Sequence, residues 1–372
     1  MLYSFLMRLT VLQEDLAKAL ASASRFVSSR AQLPVLGNIM LSAKKTKLLV
    51  AATNLEMAIS ISVGAKVETE GEIAVPARTV TDIVVNLAPG QTQLVGEKEQ
   101  LKISQSTFSS SISGMNTNDF PAVSQGLGSD KVALPEEFMG ALGKTIFAAS
   151  TDETRPVLMG ALFMLEGKGL SLVATDGFRL SQKKISLSDR QKEKTLKMIL
   201  PRNTLSEVVK MGEGSLQMQI KPAESQVIFA CGKTVLSSRV IEGEYPDFEK
   251  IIPKESNTTI SVDKVEFVRA IKLASVFARE SANVVKFEIG DKTLDVSASS
   301  QKSGEQKTSV DAKVEGDGLT ISFNYKFIED FLNSVSGQDV EMKFGDVSSP
   351  GVFLDPPDPD YLHLIMPVKI QE

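Results

Sequence analysis

The chain has 372 residues, 42% hydrophobic and 23% charged, with a formal net charge of −5. That length and composition fit two or three domains of a soluble globular protein. One cysteine, Cys231, excludes an internal disulfide and points to a reducing cytoplasm; one histidine, His363, leaves little for a zinc site; 6% aromatics with no tryptophan argue against a single-strand binder built on stacked rings.

No stretch approaches the ~18 consecutive apolar residues of a membrane span. The start, MLYSFLMRLTV, has no basic residue ahead of its apolar patch and is too short for a secretory signal. Met1 to Leu6 read as a dispensable extension, with the folded unit beginning near Met7.

The first predicted helix covers Leu12 to Val27, with Leu12, Leu16, Leu20 and Ala23 on one face and Glu14 and Asp15 in the first turn, near the positive end of the helix dipole. LPVLGNIML follows from Leu33, then the strand LLVAATNLEMAIS from Leu48 to Ser60. A second helix, VPARTVTDIVVNL, starts at Val75 with Pro76 near its first turn, where a missing N–H costs nothing, and DFPAV closes the section at Val123.

The order then recurs. Leu134 to Ala149 places Leu134, Phe138, Leu142 and Thr145 on one face after Glu136 and Glu137; RPVLMGALFML follows from Arg155, LSLVATDGFRLS from Leu170, LPRNTLSEVVKM from Leu200 and EYPDFEKII from Glu244. Pro34 to Thr53 and Pro156 to Thr175 span the same 19 positions. A third section runs from Val262 to Ala278, with Val262, Val265, Phe267, Ile271 and Ala274 on one face, through a hairpin at Gly290-Asp291, to SFNYKFIEDFLNSV from Ser322. The second-helix acids Asp82, Glu207 and Asp330 align.

The chain is therefore three copies of a unit of about 120 residues, with seams at the polar, turn-rich stretches Gly126 to Lys131 and Pro253 to Thr258. The expected domains are residues 7–128, 129–252 and 253–372. Each is α+β, two helices packed on antiparallel sheets.

LPVLGN, ATNLEM, ATDGFRLS, VPARTVTDI, EYPDFEKIIP and the terminal HLIMPVKI, in that order and spacing, resemble the bacterial sliding-clamp family, the beta subunits of DNA polymerase III. The likeness runs from Met7 to Ile370. It implies no catalysis and no cofactor. It implies a head-to-tail homodimer, a six-domain ring around double-stranded DNA that tethers the replicative polymerase and is opened by a separate ATP-driven clamp loader. Geometry agrees. Helix axes pack roughly 8–10 Å apart, so six helices close a circle of roughly 55 Å, too tight for a duplex. Twelve give about 110 Å around and leave on the order of 23 Å clear after the helix bodies intrude.

The resemblance also implies a client-peptide groove between the second and third domains. Its matched residues are Leu158, Thr175, Gly177, Phe178, Arg179, Leu180, Pro246, Lys250, Ile251, Val347, Ser349, Leu364, Met366, Pro367, Val368 and Lys369. Leu158, Leu180, Val347 and Met366 would take a leucine or phenylalanine anchor. Phe178 stands where many relatives carry histidine, which alters the polar rim. For the dimer contact, between the first domain of one chain and the third of the other, the candidates are Ile112, Val276 and Phe277.

An acidic chain meets DNA only through local basic groups. Candidate DNA-facing residues are Lys18 and Arg25 on the first helix, Lys144 on its second-domain counterpart, Arg269 and Lys272 on the third, Arg30, Arg155 and Arg279 just after these helices, and Arg202 at the start of a second helix. So sparse a set predicts weak, sequence-blind attraction, with retention by topology.

Enzyme motifs fail. GALGKT at Gly140 has Phe138 where a phosphate-binding loop needs glycine, and it lies within an amphipathic helix. DPPDPD, Asp355 to Asp360, reads as a solvated loop that its prolines hold extended. A repeat-type scaffold that never meets DNA, and a hydrolase with an unrecognised site, stay open at this point.

Overall fold

A computed structural model describes residues 6–28, 33–167, 169–187, 195–212 and 214–369. The same order of elements occurs three times among them: strand, α-helix, four strands, α-helix, three strands. The helices are α1 (Gln13–Ala23), α2 (Ala77–Val85), α3 (Phe138–Thr145), α4 (Arg202–Val209), α5 (Lys264–Ala278) and α6 (Tyr325–Ser334). None of them is long and apolar enough to cross a membrane.

The strands form two twelve-stranded antiparallel sheets, one in each of two compact units. The first unit is Met1–Glu136 with Lys210–Val240; the second is Glu137–Val209 with Ile241–Glu372. The middle repeat is therefore shared between them. In the first unit the strand Met57–Thr69 pairs with Thr234–Arg239, so repeats one and two share a sheet. In the second unit Arg179–Ser186 pairs with Tyr361–Ile365 and joins repeats two and three in the same way.

Helix faces follow the sequence pattern with a shifted phase at three starts. Leu16, Leu20 and Ala23 are buried on α1, but Leu12 ends a strand and is exposed, while the Gln13 amide donates to the Val84 carbonyl at 2.7 Å and ties α1 to α2. The third helix begins at Phe138, not Leu134, so Glu137 is its N-cap and Glu136 precedes it. On α5, Phe267, Ile271 and Ala274 are buried; Val262 lies in the preceding strand, and Val265 faces outward at 73% exposure. Asp263 caps α5 by accepting the Glu266 N–H at 2.9 Å. In the second unit a chain of edge-on rings, Phe267, Phe287, Phe323, Phe353 and Phe331, fills the core with centroids 5.6 to 5.8 Å apart.

Candidate partner-binding groove and charged helix faces

The turn between the strands Gly169–Thr175 and Arg179–Ser186 is locked by side chains. Thr175 Oγ1 accepts from Gly177 N–H at 3.1 Å and donates to the Arg179 carbonyl at 2.6 Å. Asp176 Oδ1 accepts the N–H groups of Phe178 (2.9 Å) and Arg179 (3.0 Å). Gly177 sits at φ +91°, a left-handed conformation that suits glycine. The result throws the Phe178 ring into solvent at 60% exposure.

Strand register brings the tail alongside. Leu180 faces Leu364, and Arg179 faces Ile365. Just past the strand, the Met366 N–H donates to the Phe178 carbonyl at 2.8 Å, and Val368 N–H bonds the Ser322 carbonyl at 2.8 Å. Leu180 and Leu364 are buried in one apolar cluster with Val352, Tyr245 and Phe248. Phe248 belongs to the helical turn Phe248–Ile251, which carries Lys250 and Ile251 at the surface, with Pro246 exposed just before it. Lys250 pairs with Asp247 at 2.8 Å. Val347 and Ser349 lie on a turn closed by Asp346, whose Oδ1 accepts from Ser348 and Ser349 N–H at 2.8 Å; the Ser348 hydrogen bonds, with those of Ser349, hold its carboxyl down to about 2. Phe178, Val347, Ile251 and Met366 are exposed apolar side chains, whereas Leu180, Leu364 and Leu158 are buried.

Two assignments change, one from the groove set and one from the DNA-facing set. Arg179 is not a free ligand: its side chain is 10% exposed, pairs with Asp176 (3.0 Å) and Asp330 (2.5 Å), donates to the Phe147 carbonyl (2.8 Å) and lies over the Phe327 ring. It positions the turn. Arg155, expected on a DNA-facing surface, instead stands at the groove turn, since a Cβ added to Gly177 would meet its Nη1 at 3.0 Å. The short helical turn Pro156–Met159 that presents Leu158 carries it there, and Asp152 holds it at 3.3 Å. No periodic pattern marks such a residue in the sequence.

Lys18, Arg25, Arg269, Lys272 and Arg279 are exposed, Arg269 in an ion pair with Glu266 on its own helix; Arg202 is half-buried and donates to the Ala149 carbonyl at 3.4 Å. Arg30 lies outside the described residues. Lys144 is a correction. Its side chain is 16% exposed and bonds Asp358 at 2.7 Å and Asp355 at 3.1 Å, with the Tyr361 ring beneath it. DPPDPD is solvated only in part: Pro356, Pro357, Pro359 and Asp360 are exposed, but Asp355 is buried and also accepts Ser336 and Gly337 N–H. Burial pushes the Asp355 carboxyl up, but these hydrogen bonds with Lys144 leave it below the usual range.

Of the dimer candidates, Val276 is 58% exposed, Phe277 is half-buried against the third repeat's core, and Ile112 is buried at 5% exposure. Ile112 is the inward residue of its strand and belongs to its own core, not to an outer surface.

Ser181 Oγ lies 2.9 Å from His363 Nδ1, but both residues are fully buried and Lys144's carbonyl also engages the hydroxyl. His363 stacks between Phe147 and Phe331, and burial, with Arg179 nearby, pushes it down to about 3. The pair is packing, out of reach of a substrate.

Family profiles of the DNA polymerase III beta subunit match the chain as N-terminal domain over residues 7–124, central domain over 134–247 and C-terminal domain over 249–369. The beta sliding clamp of Staphylococcus aureus is 31% identical across 98% of this chain and 100% of its own; that of Staphylococcus epidermidis is 30% identical over the same shares. Among solved structures, the Bacillus subtilis sliding clamp aligns with a TM-score of 0.92 at 27% identity, and the Thermotoga maritima beta subunit with 0.90 at 27%, each over 98% of this chain and 100% of that one. The chain belongs to the DNA polymerase III beta subunit family, the sliding clamps, which are non-catalytic processivity subunits of the replicative polymerase.

Proposed function

We propose that two copies of this chain close head to tail around duplex DNA in the cytoplasm, slide along it, and hold polymerase, clamp loader and other clients through short peptides bound at the Phe178–Met366 groove. The observation that carries the groove is the exposed apolar set Phe178, Val347, Ile251 and Met366, with Phe178 on a locked turn and Met366 hydrogen-bonded to it beside the buried cluster of Leu180 and Leu364. Exposed apolar side chains gathered at a strand junction mark a partner surface, and methionine adapts to varied ligands. Thr175, Gly177 and Arg179 shape the turn; Leu158, Leu180 and Leu364 form the floor; Pro246, Lys250, Ser349, Pro367, Val368 and Lys369 supply the rim.

For ring closure we take two of the strand edges left open among the described residues. The strand Phe108–Ser113 ends one sheet order, and residues 304–311 pair only on the side of Thr293–Ser300, because Thr258–Asp263 joins that strand from Ala312 onward. Edge joined to edge, with Val276 and Phe277 at the contact, makes a symmetric dimer. Lys18, Arg25, Arg269, Lys272 and Arg279 give the helices a thin positive lining for a polyanion that must slide.

Loading onto nicked circular and linear duplexes tests the reading. Closed rings stay on circles through salt that strips the protein from short linear DNA; equal loss from both substrates would refute encirclement.

A further inference from the structure

In each repeat, the strand that leads into the second helix is met at its edge by a residue from the segment that follows the repeat. The Met115 N–H donates to the Ala74 carbonyl at 2.8 Å, Ile241 to Ile199 at 2.9 Å and Val368 to Ser322 at 2.8 Å. In the first two repeats the chain then crosses the sheet face opposite the helices. The Ser124 carbonyl accepts from Ser60 Oγ at 2.7 Å. Tyr245 donates its hydroxyl to the Val173 carbonyl at 3.3 Å and, with Phe248, joins the apolar cluster of Leu162 and Val173. In the third repeat a cavity of about 740 Å³ stands on that face, and Val368 and Lys369 line it.

Ladder register identifies the occupant. Lys286 pairs with Ser297 as Leu162 does with Val173, and Ser297 pairs with Lys307 as Val173 does with Gln182. Tyr245 stands four residues beyond Ile241, and Glu372 four beyond Val368. The place of Tyr245 over Val173 thus corresponds to a place over Ser297, between Lys286 and Lys307, and to Glu372. These lysines share Glu288, at 2.6 and 2.9 Å, and Lys307 also reaches Asp295 at 3.0 Å, but an ammonium group has three donors. Two residues beyond Ile241 comes Gly243, where a Cβ would meet Val157 at 2.6 Å. Its counterpart is Ile370. The counterpart of Val157, three residues ahead of the matched strand positions Gly160 and Val284, is Ser281, exposed beside Ala282. That small pair leaves room for the isoleucine side chain.

We propose that residues 370–372, which follow the described chain, make a third such crossing inside this cavity. Ile370 rests on Ser281 and Ala282, and the Glu372 carboxylate meets the Lys286 and Lys307 ammonium groups. Three extended residues span up to about 10 Å, enough to reach from Lys369 on the cavity wall. The segment that carries Met366 is then fastened on both sides, at Phe178 and in the cavity. Every group involved belongs to one chain, so this docking stands apart from ring closure and from client binding.

Methyl NMR on the 372-residue protein, labelled at isoleucine, alanine, valine and methionine methyls, tests it. Ile370 should show nuclear Overhauser cross-peaks to Ala282 and Val284. A three-residue dock is slight, so loss of one surface ion pair is enough to free it. Glu372→Gln should therefore lose the cross-peaks, and so should Lys286→Ala combined with Lys307→Ala, with Tm unchanged because the lysine side chains are 43% and 55% exposed. Lys313→Ala, an exposed lysine on the same strand and outside the cavity wall, should keep them. Cross-peaks absent from the parent protein, directed to Met366 instead, or indifferent to both the Glu372 and the paired lysine variants overturn the proposal.

Discussion

Arg179 Nη1 lies 2.5 Å from Asp330 Oδ2 and so fastens the turn that exposes Phe178 to the helix α6 of the following repeat. With Asp176, the Phe147 carbonyl and the Phe327 ring as further partners, this guanidinium is saturated. Arg179→Ala should cost about 2–3 kcal/mol in urea denaturation, because it strands the mostly covered Asp176 and the Phe147 carbonyl, while Asp330, 43% exposed, is rehydrated. Arg179→Lys should recover less than half, since an ammonium cannot reproduce the planar fork.

Lys144 makes a second such prediction. Lys144→Met takes the cation from the buried Asp355 and leaves Asp358 with Lys183 alone, and should cost about 3 kcal/mol at neutral pH. Burial raises both carboxyls, yet the hydrogen bonds of Ser336, Gly337 and Lys144 at Asp355, and of Lys144 and Lys183 at Asp358, set them lower than normal. Their contribution is therefore full above the unfolded value near 4 and fades as pH falls through the folded values. The gap between the variant and the parent should narrow in acid, measured as the difference in urea midpoint.

His363 is the chain's one histidine, so its titration can be assigned without ambiguity. Burial, then Arg179, lowers it to about 3. Between the unfolded value near 6.5 and that folded value, the unfolded chain binds the extra proton. Stability should fall by about 1.4 kcal/mol for each pH unit below 6.5. In His363→Gln the unfolding free energy should be flatter between about pH 6.5 and 4.5, where carboxylates contribute little. An unchanged slope would show that the proton goes elsewhere.

At the groove, Met366→Ala should weaken a clamp-binding client peptide by about 1–3 kcal/mol in calorimetry if the side chain anchors it. The substitution leaves the Met366 N–H to Phe178 intact, so Tm should hold. Unchanged affinity would remove Met366 from the site.

Val276→Asp separates assembly from folding. The side chain is 58% exposed and outside the core, whereas Phe277 packs against it. Sedimentation of the variant should show monomer with unaltered secondary structure; a stable dimer would move the contact elsewhere.

The first two repeats were legible because each places proline, strand and Ala-Thr at fixed spacing, which short-range pattern exposes; the third keeps the helices and the hairpin but loses the proline. Lys144 was not, because its partners Asp355 and Asp358 lie 211 and 214 residues away and no local pattern announces a tertiary ion pair. Ile112 misled for a different reason: among serines, one isoleucine on an edge strand reads equally as core or contact. Val265 failed on phase, since a strand runs directly into α5 and the helical period starts only after Asp263. The groove's floor residues came from likeness to a family, and its rim arginine, Arg155, from geometry alone.

The hydrogen-bonded seams bear on how the polypeptide can be dissected. Met57–Ser238 and Arg179–Ile365 are neighbours inside continuous ladders, so the middle repeat gives four strands to each sheet. Excised by itself it would present two raw, unpaired flanks, the kind of surface that recruits other chains and precipitates. Fragments cut at the sequence repeats should therefore be sticky, while the intact polypeptide stays well behaved.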